Sequence, residues 1–194
     1  IMSNNKVIAF PQMDNYDIPV KYLLKKITKA HVLSSPPITA KTIEIGTKYS
    51  PDFVCTPFKY TLGTLIENLD MGANVLVQAG GGCRYGYYSE LQEQILKDLG
   101  YDFIFINLIT NGKIDIKRIY QSVKKVEPRF NIIKSLYYLF ITYKMVKYMD
   151  LIDDYIRQNI GFEVEKNSFI NLKRQMLEDF SKVKTYIGLK RCYL

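Results

Sequence analysis

Short apolar runs alternate with segments of helical spacing over the first half of the chain. The apolar runs predict four strands, at residues 6–10, 30–34, 73–78 and 101–108. The amphipathic segments between them predict helices at 16–29, 40–50, 57–72 and 87–100. Strands buried on both faces of a sheet form continuous apolar runs of this kind, and strand–helix alternation with right-handed crossovers makes a parallel sheet. The pattern predicts an α/β fold: a four-stranded, doubly wound, flavodoxin-like parallel sheet in the order 2-1-3-4.

The pattern changes near residue 112, after which only helical spacing is present. It predicts an amphipathic helix over 114–126 that is cut by Pro128, a long helix over 129–159, and a third helix over 165–188 that Gly188 closes. We therefore expect an α/β core at residues 1–111 and a basic, C-terminal helical extension at 112–194.

The net charge of +8 resides wholly in the second half of the chain. Residues 1–111 hold 10 Lys and Arg against 10 Asp and Glu, whereas residues 112–194 hold 17 against 9. Two interpretations follow: the basic half is a solvated helical surface, or it is a surface for an acidic partner.

Several classes of protein are disfavoured by what the sequence lacks. No apolar run approaches the roughly 20 residues that cross a bilayer, so no membrane partner is expected. The N-terminal residues lack the pattern of a signal peptide, and three widely spaced cysteines do not form a secreted disulfide framework, so we expect a cytoplasmic protein. The basic half carries no groove-reading or RNA-binding motif, which disfavours nucleic acid as a partner.

The segment AGGGCRYGYY, at residues 79–88, joins the third strand to its helix. It matches neither the dinucleotide-binding fingerprint nor the P-loop. Glycine amides at a helix N-terminus beside an arginine are nevertheless suited to an anion, such as a phosphate. The candidate ligand-binding residues are Gly80, Gly81, Gly82 and Arg84.

Two cysteines are candidate metal ligands. Cys83 lies where a helix dipole and Arg84 would both favour the thiolate, the form that binds metals. Cys55 lies in a proline-bounded loop that the fold would place at the same edge of the sheet. The only histidine, His31, falls within a strand without a partner, which disfavours Cys–His catalysis.

The string FVCTPFKYTLGTLIENLDMGANVLVQAGGGCRYGYYSELQEQILKDLGYDF resembles the acyl-CoA dehydratase activase-related (CoA protein activase) family. That family is related to the subunits of 2-hydroxyglutaryl-CoA dehydratase and benzoyl-CoA reductase. The resemblance extends upstream through SSPPITAKTIEIGTKYSPDFVC, and so covers about residues 6–108, while it weakens in the helical half.

The resemblance implies oxygen-sensitive iron–sulfur chemistry. Cys55 and Cys83 would be ligands of a [4Fe-4S] cluster, with the glycine amides and Arg84 tuning its potential. The chain would serve low-potential electron transfer or act as an accessory to CoA-thioester chemistry, beside a second copy of itself or a dehydratase or activator protein. We expect no catalysis by this chain alone, because no general acid or base is placed with the cysteines.

The candidate core offers two cysteines where such a cluster takes three or four, and Cys192 is a distant third thiol. A partner could supply the missing ligands, two copies could pool Cys55 and Cys83 around a dimer axis, or the cluster could be lost. The alternative function is a non-redox binding module, which holds a phosphate or CoA-type ligand at the glycine segment and a partner on the basic helices.

Overall fold

The computed structural model describes residues 6–80, 87–110 and 113–193. The strands in these ranges are β1 (Val7–Ala9), β2 (His31–Val32), β3 (Val75–Gln78), β4 (Ile104–Asn107), β5 (Ile109–Thr110) and β6 (Lys113–Ile114). The α-helices are α1 (Asp17–Ile27), α2 (Ala40–Tyr49), α3 (Thr56–Asp70), α4 (Tyr88–Asp98), α5 (Ile116–Val126), α6 (Ile132–Asn159), α7 (Ser168–Lys182) and α8 (Tyr186–Tyr193).

The main sheet has four parallel strands in the order β2-β1-β3-β4. This confirms the predicted flavodoxin-like order, which right-handed crossovers favour once the four apolar runs are assigned to strands. The longest pairing joins β3 to β4, with Val75 opposite Ile104 and Gln78 opposite Asn107. Strands β3 and β4 therefore end at the same level, and the last residue of each carries an amide side chain.

The core against this sheet is formed largely by α3. Leu62 and Leu65 on α3 are fully buried together with Ala9 on β1, Leu76 on β3 and Leu96 on α4. Each buried leucine contributes about 1.5–3 kcal/mol relative to an exposed one. The apolar spacing of α3 therefore fixes the helix firmly on the sheet.

Helix α2 begins at a capping box and crosses α3 at very short range. Thr39 is its N-cap and accepts a hydrogen bond from the amide of Thr42, while the Thr42 hydroxyl accepts one from the amide of Thr39. A Cβ on Gly46 would lie only 1.7 Å from the carbonyl oxygen of Lys59, and one on Gly63 2.0 Å from that of Thr42. Glycine at these two positions is what lets the helices approach.

The chain divides into two compact units. The α/β unit comprises the described residues up to Asp14 together with Thr28–Phe130, and the helical unit comprises Asn15–Ile27 together with the chain from Asn131 onward. The sequence predicts a boundary at residue 111, and the observed division assigns two helices, α1 and α5, to the other unit. Helix α5 belongs to the α/β unit, and α1 belongs to the helical unit because its buried residue Tyr22 packs with the core of that unit.

The helical unit is organised around one buried face of α6. Ile141, Met145 and Met149 recur at helical spacing and are almost fully buried, together with Phe180 on α7 and Leu189 on α8. The spacing of four residues places the three α6 side chains on a single face. That face holds the helix to its own unit.

The predicted helix over 165–188 is wrong in one respect, because two helices occupy the segment. Helix α7 ends at Lys182, Val183 is extended and buried, and α8 begins at Tyr186. The hydroxyl of Thr185 accepts a hydrogen bond of 3.2 Å from the amide of Gly188, as an N-cap residue does. Gly188 therefore lies inside α8 and does not end a helix.

Candidate functional site at the carboxyl edge of the sheet

Buried amide side chains form a polar layer where the parallel strands end. Gln78 and Asn107 are the last residues of β3 and β4, and both are buried. Gln92 of α4 is fully buried beside the end of β3, and Asn68 of α3 is fully buried beside the segments that follow β1 and β2. In open α/β sheets, ligands bind outside this carboxyl edge.

Gln78 fixes the point at which the chain leaves β3. Its Nε2 donates to Oε1 of Gln92 at 2.8 Å, and its Oε1 accepts from the amide of Ala79 at 2.9 Å. Gln92 Nε2 donates in turn to the carbonyl oxygen of Phe58 at 3.4 Å. This chain of hydrogen bonds ties the start of the glycine segment to α3 and α4.

Asn68 performs a similar task at the end of β1. Its Nδ2 donates to the carbonyl oxygen of Phe10 at 3.3 Å and to Oγ of Ser35 at 3.0 Å, and the Ser35 hydroxyl also donates to the Phe10 carbonyl. The segments that follow β1 and β2 are thereby fixed to α3. The Oδ1 atom of Asn68 is buried and has no hydrogen-bond partner within the described part of the chain.

Only one of the two polar atoms of the Asn107 side chain has a hydrogen-bond partner among the described residues. Its Nδ2 donates to Oγ1 of Thr110 at 3.4 Å, whereas its buried Oδ1 accepts no hydrogen bond from any described residue. A Cβ on Gly80 would lie 2.9 Å from this oxygen and 2.4 Å from the carbonyl oxygen of Ile109. Gly80 also has a φ of +86°, so both its conformation and its surroundings require glycine.

Two cationic residues lie beside Thr110, the hydrogen-bond partner of Asn107. Thr110 accepts a hydrogen bond from Nη1 of Arg118 at 3.5 Å and pairs with Lys113 across the β5–β6 hairpin. Thr110 and Lys113 help to line an open groove of about 620 Å³ together with Ile114, Asp115 and Ile116. Thr110 therefore links Asn107 to Arg118 through two hydrogen bonds, and Lys113 lies beside Thr110 in the groove.

Cys55 is exposed at the N-cap of α3, and its side chain makes no capping hydrogen bond. Phe58, in the first turn of α3, meets Tyr88, the first residue of α4, with ring centroids 5.1 Å apart. The starts of the two helices are therefore adjacent, as expected for loops at one edge of the sheet. Cys192 lies on α8 in the helical unit.

Most of the predicted site falls in the glycine segment. Gly81, Gly82, Cys83 and Arg84 lie outside the described residues, so that their predicted roles stay predictions. Within the described ranges, no group of three or more His, Cys, Asp or Glu side chains could hold a metal ion. A [4Fe-4S] cluster takes three or four thiolates, and the described donors at this edge do not fit one.

Asn68 and Asn107 are the functional candidates that motif analysis missed. A signal for each is present in the sequence: Asn107 ends an otherwise apolar strand, and Asn68 interrupts the apolar face of α3. A polar side chain at a position predicted to be buried needs a partner, and that need is itself informative.

None of the helices in the described ranges combines the length and the apolarity that spanning a bilayer requires. Comparisons of the chain with models of protein families, with curated proteins and with solved structures find no match.

Proposed function

We propose that the α/β unit is a binding module for a small, phosphate-bearing ligand of the nucleotide or CoA type, held at the carboxyl edge of β3 and β4. The observation that carries the proposal is the buried Oδ1 of Asn107, which lacks a donor among the described residues. Leaving such an acceptor unsatisfied costs about 1–3 kcal/mol. A hydroxyl or amino group of a bound ligand would remove that cost.

The cations beside Thr110 support the phosphate part of the proposal. Lys113 and Arg118 are neighbours of Thr110, which itself accepts a hydrogen bond from Asn107, so we propose that a ligand held by Asn107 places its anionic group toward these cations. Arginine presents several donors in a fixed geometry suited to phosphate oxygens, and lysine adds a point charge. The proposed ligand accordingly has a hydrogen-bond donor and an anionic group.

Thermal unfolding of the full chain tests the proposal, with CoA, ATP and inorganic phosphate as probes. A ligand at 100 times its Kd stabilises a protein by about 2.7 kcal/mol, which raises Tm by several degrees. We expect CoA or ATP to raise Tm, Arg118→Ala to reduce the rise, and Asn107→Leu to abolish it. Lys41→Ala, an exposed change on α2, is the matched control and should leave the rise intact.

The proposal is wrong if none of the three probes changes Tm, or if the rise survives Asn107→Leu. Inorganic phosphate acting alone, and as strongly as CoA, would reduce the site to a simple anion site. Asn107→Leu is suited to this test because it removes the unsatisfied oxygen, so the variant itself should not lose stability.

The iron–sulfur hypothesis has one specific observation in its favour. The exposed thiol of Cys55 is three residues from Phe58, which contacts the start of the helix that follows the Cys83 segment. We propose, as the second candidate, an iron–sulfur cluster held by Cys55 and Cys83 from two copies of the chain, in a protein of the dehydratase and activase kind.

Iron and acid-labile sulfide, measured on protein reconstituted without oxygen, test this second candidate. About two of each per chain in a dimer, lost in Cys55→Ala, is the expected result for one shared four-iron cluster. Negligible iron in the reconstituted protein would refute the cluster and would leave the CoA test unaffected.

A further inference from the structure

The first half of α6 exposes a row of large apolar side chains. Ile133, Leu136, Tyr137, Phe140 and Tyr143 form this row, here called the apolar ridge, and follow one another at intervals of one or three residues. Ile133 is 82% exposed, Leu136 60% and Tyr143 61%. Side chains at these intervals lie along one side of a helix.

The exposure does not arise from a loosely held helix. Helix α6 buries Ile141, Met145 and Met149 in the core of its own unit. Tyr138, which lies between Tyr137 and Phe140 in the sequence, packs against the same core, and its ring meets that of Tyr22 edge to face with centroids 6.1 Å apart. Asn131 caps the helix by accepting a hydrogen bond of 3.0 Å from the amide of Lys134. The ridge is therefore presented by an ordered helix.

Lysines flank the ridge and are not neutralised within the described residues. Lys134, Lys144 and Lys147 belong to none of the ion pairs in that part of the chain. Lys144 instead lies with its Nζ 5.6 Å from the ring of Phe140. The helical unit as a whole has 14 basic and 8 acidic residues, a net charge of +6.

The ridge is large enough to be the centre of an interface. Five side chains that each leave roughly 100 Å² exposed supply about 500 Å² of apolar surface, against about 800 Å² per partner in an ordinary stable interface. Exposed patches of this size on ordered proteins mark interaction sites. The lysines would complete the interface as its polar rim.

We propose that the apolar ridge docks an amphipathic, acidic helix of a protein partner. The ridge has the i, i+3, i+4, i+7 spacing by which helices dock on one another, and it extends about 15 Å along the axis. The charge requires a partner with carboxylates beside its apolar face, because a second copy would bring Lys134, Lys144 and Lys147 against like charges. This inference concerns the helical unit and does not depend on the ligand site.

A synthetic amphipathic helix about three heptads long, with leucine at the a and d positions and glutamate on the flanks, serves as the probe. A second probe carries lysine in place of glutamate. Fluorescence anisotropy with the full chain should give a Kd for the acidic probe at least about tenfold below that for the basic probe, and the affinity should fall as salt rises.

Variants locate the binding. Leu136→Ser and Lys144→Glu should each weaken the acidic probe about tenfold. The matched controls are Val164→Ser and Lys166→Glu, which make comparable changes at exposed positions that follow the C-terminal end of α6, and they should leave the affinity unchanged.

Four results would overturn the proposal. The acidic and basic probes could bind equally, or the ridge variants could bind as the controls do. Sedimentation of the protein alone could give a dimer that Leu136→Ser dissociates, in which case a second copy covers the ridge. Flotation with phosphatidylserine vesicles that Leu136→Ser abolishes, without binding of the acidic probe, would assign the ridge to a lipid surface.

Discussion

The crossing of α2 and α3 gives the sharpest prediction for the stability of the α/β unit. We consider Gly46→Ala, which adds one methyl group where a Cβ would lie 1.7 Å from the carbonyl oxygen of Lys59. The atom that it meets is backbone within a helix, so no side chain can rotate away. An ordinary contact of carbon and oxygen begins near 3.3 Å, and the two helices would therefore have to separate by about 1.5 Å.

Two effects of opposite sign determine how much Gly46→Ala changes the free energy of unfolding. Alanine is favoured over glycine inside a helix by about 1 kcal/mol. Overpacking costs about 1–3 kcal/mol, and a clash with rigid backbone belongs at the upper end of that range. Separation of the helices also strains the hydrogen bond of 2.9 Å from the buried Thr42 hydroxyl to Oε2 of Glu67. The clash prevails, and we expect a net loss of about 2 kcal/mol.

Native-state hydrogen exchange provides the assay, because it reports the α/β unit separately from the helical unit. The amides of Val75–Gln78 lie in the centre of the sheet and should exchange only when the unit opens. A loss of about 2 kcal/mol should accelerate their exchange about thirtyfold. Gly188→Ala is the matched control, since its Cβ would meet no atom closer than 3.5 Å inside α8.

The control should not accelerate exchange in either unit, and should stabilise α8 by up to about 1 kcal/mol. If Gly46→Ala leaves the β3 amides as protected as in the parent protein, α2 and α3 do not meet at this glycine. The close crossing would then be wrong, and with it our account of why glycine occupies this position.

Three further predictions concern polar groups. Asn107→Leu should keep or raise the free energy of unfolding, as measured in urea. Asn68→Leu should lower it by about 1–3 kcal/mol, because Asn68, unlike Asn107, donates two buried hydrogen bonds. Equal effects of the two substitutions would contradict this account. Burial, aided by a hydrogen bond to Asp70, raises the pKa of Tyr101 to about 12. Since the folded state favours the protonated phenol, stability should fall as pH rises from 10 to about 12, and less steeply in Tyr101→Phe, as urea midpoints at these pH values would show. The amide of Phe169 donates a hydrogen bond to the carboxylate of Glu163 and lowers the pKa of Glu163 below the ordinary 4.5. The resulting stabilisation of α7 is therefore present above pH 4.5 and is lost as the pH falls through the lowered pKa. An acid titration of the Phe169 amide resonance should show this transition, and Glu163→Gln should abolish the transition.

The strand order was predictable because each strand is a continuous apolar run and each connection is a crossover. The α7–α8 break was also encoded in the sequence, since Thr185 is a good N-cap residue, but the apolar spacing continues across it and conceals the interruption. The β5–β6 hairpin has strands of two residues, which are too short to show any periodicity.

What the sequence could not supply was the choice of partner for each apolar face. Helix α1 has the spacing of an amphipathic helix, and nothing in that spacing distinguishes a sheet from the face of α6 that buries Met145. Gly46 and Gly63 likewise lie on separate helices, and only the fold brings them to one crossing. Motif analysis directed attention to cysteines and glycines, whereas the buried amides of the site belong to no motif.

The buried side-chain oxygens without hydrogen-bond partners lower the stability of the fold at particular places. Among the described residues, three buried side-chain polar atoms lack a partner, and the oxygens of Asn68 and Asn107 both lie at the carboxyl edge of the sheet. Each costs about 1–3 kcal/mol in a domain whose whole stability is about 5–15 kcal/mol. Destabilising features of this kind occur chiefly at functional sites, where a bound ligand can form the missing hydrogen bond and so stabilise the protein. A ligand that donates to Asn107 should therefore stabilise the α/β unit by more than it stabilises Asn107→Leu, and this difference, measured by hydrogen exchange at β3, separates a site that uses the oxygen from one that merely lies nearby.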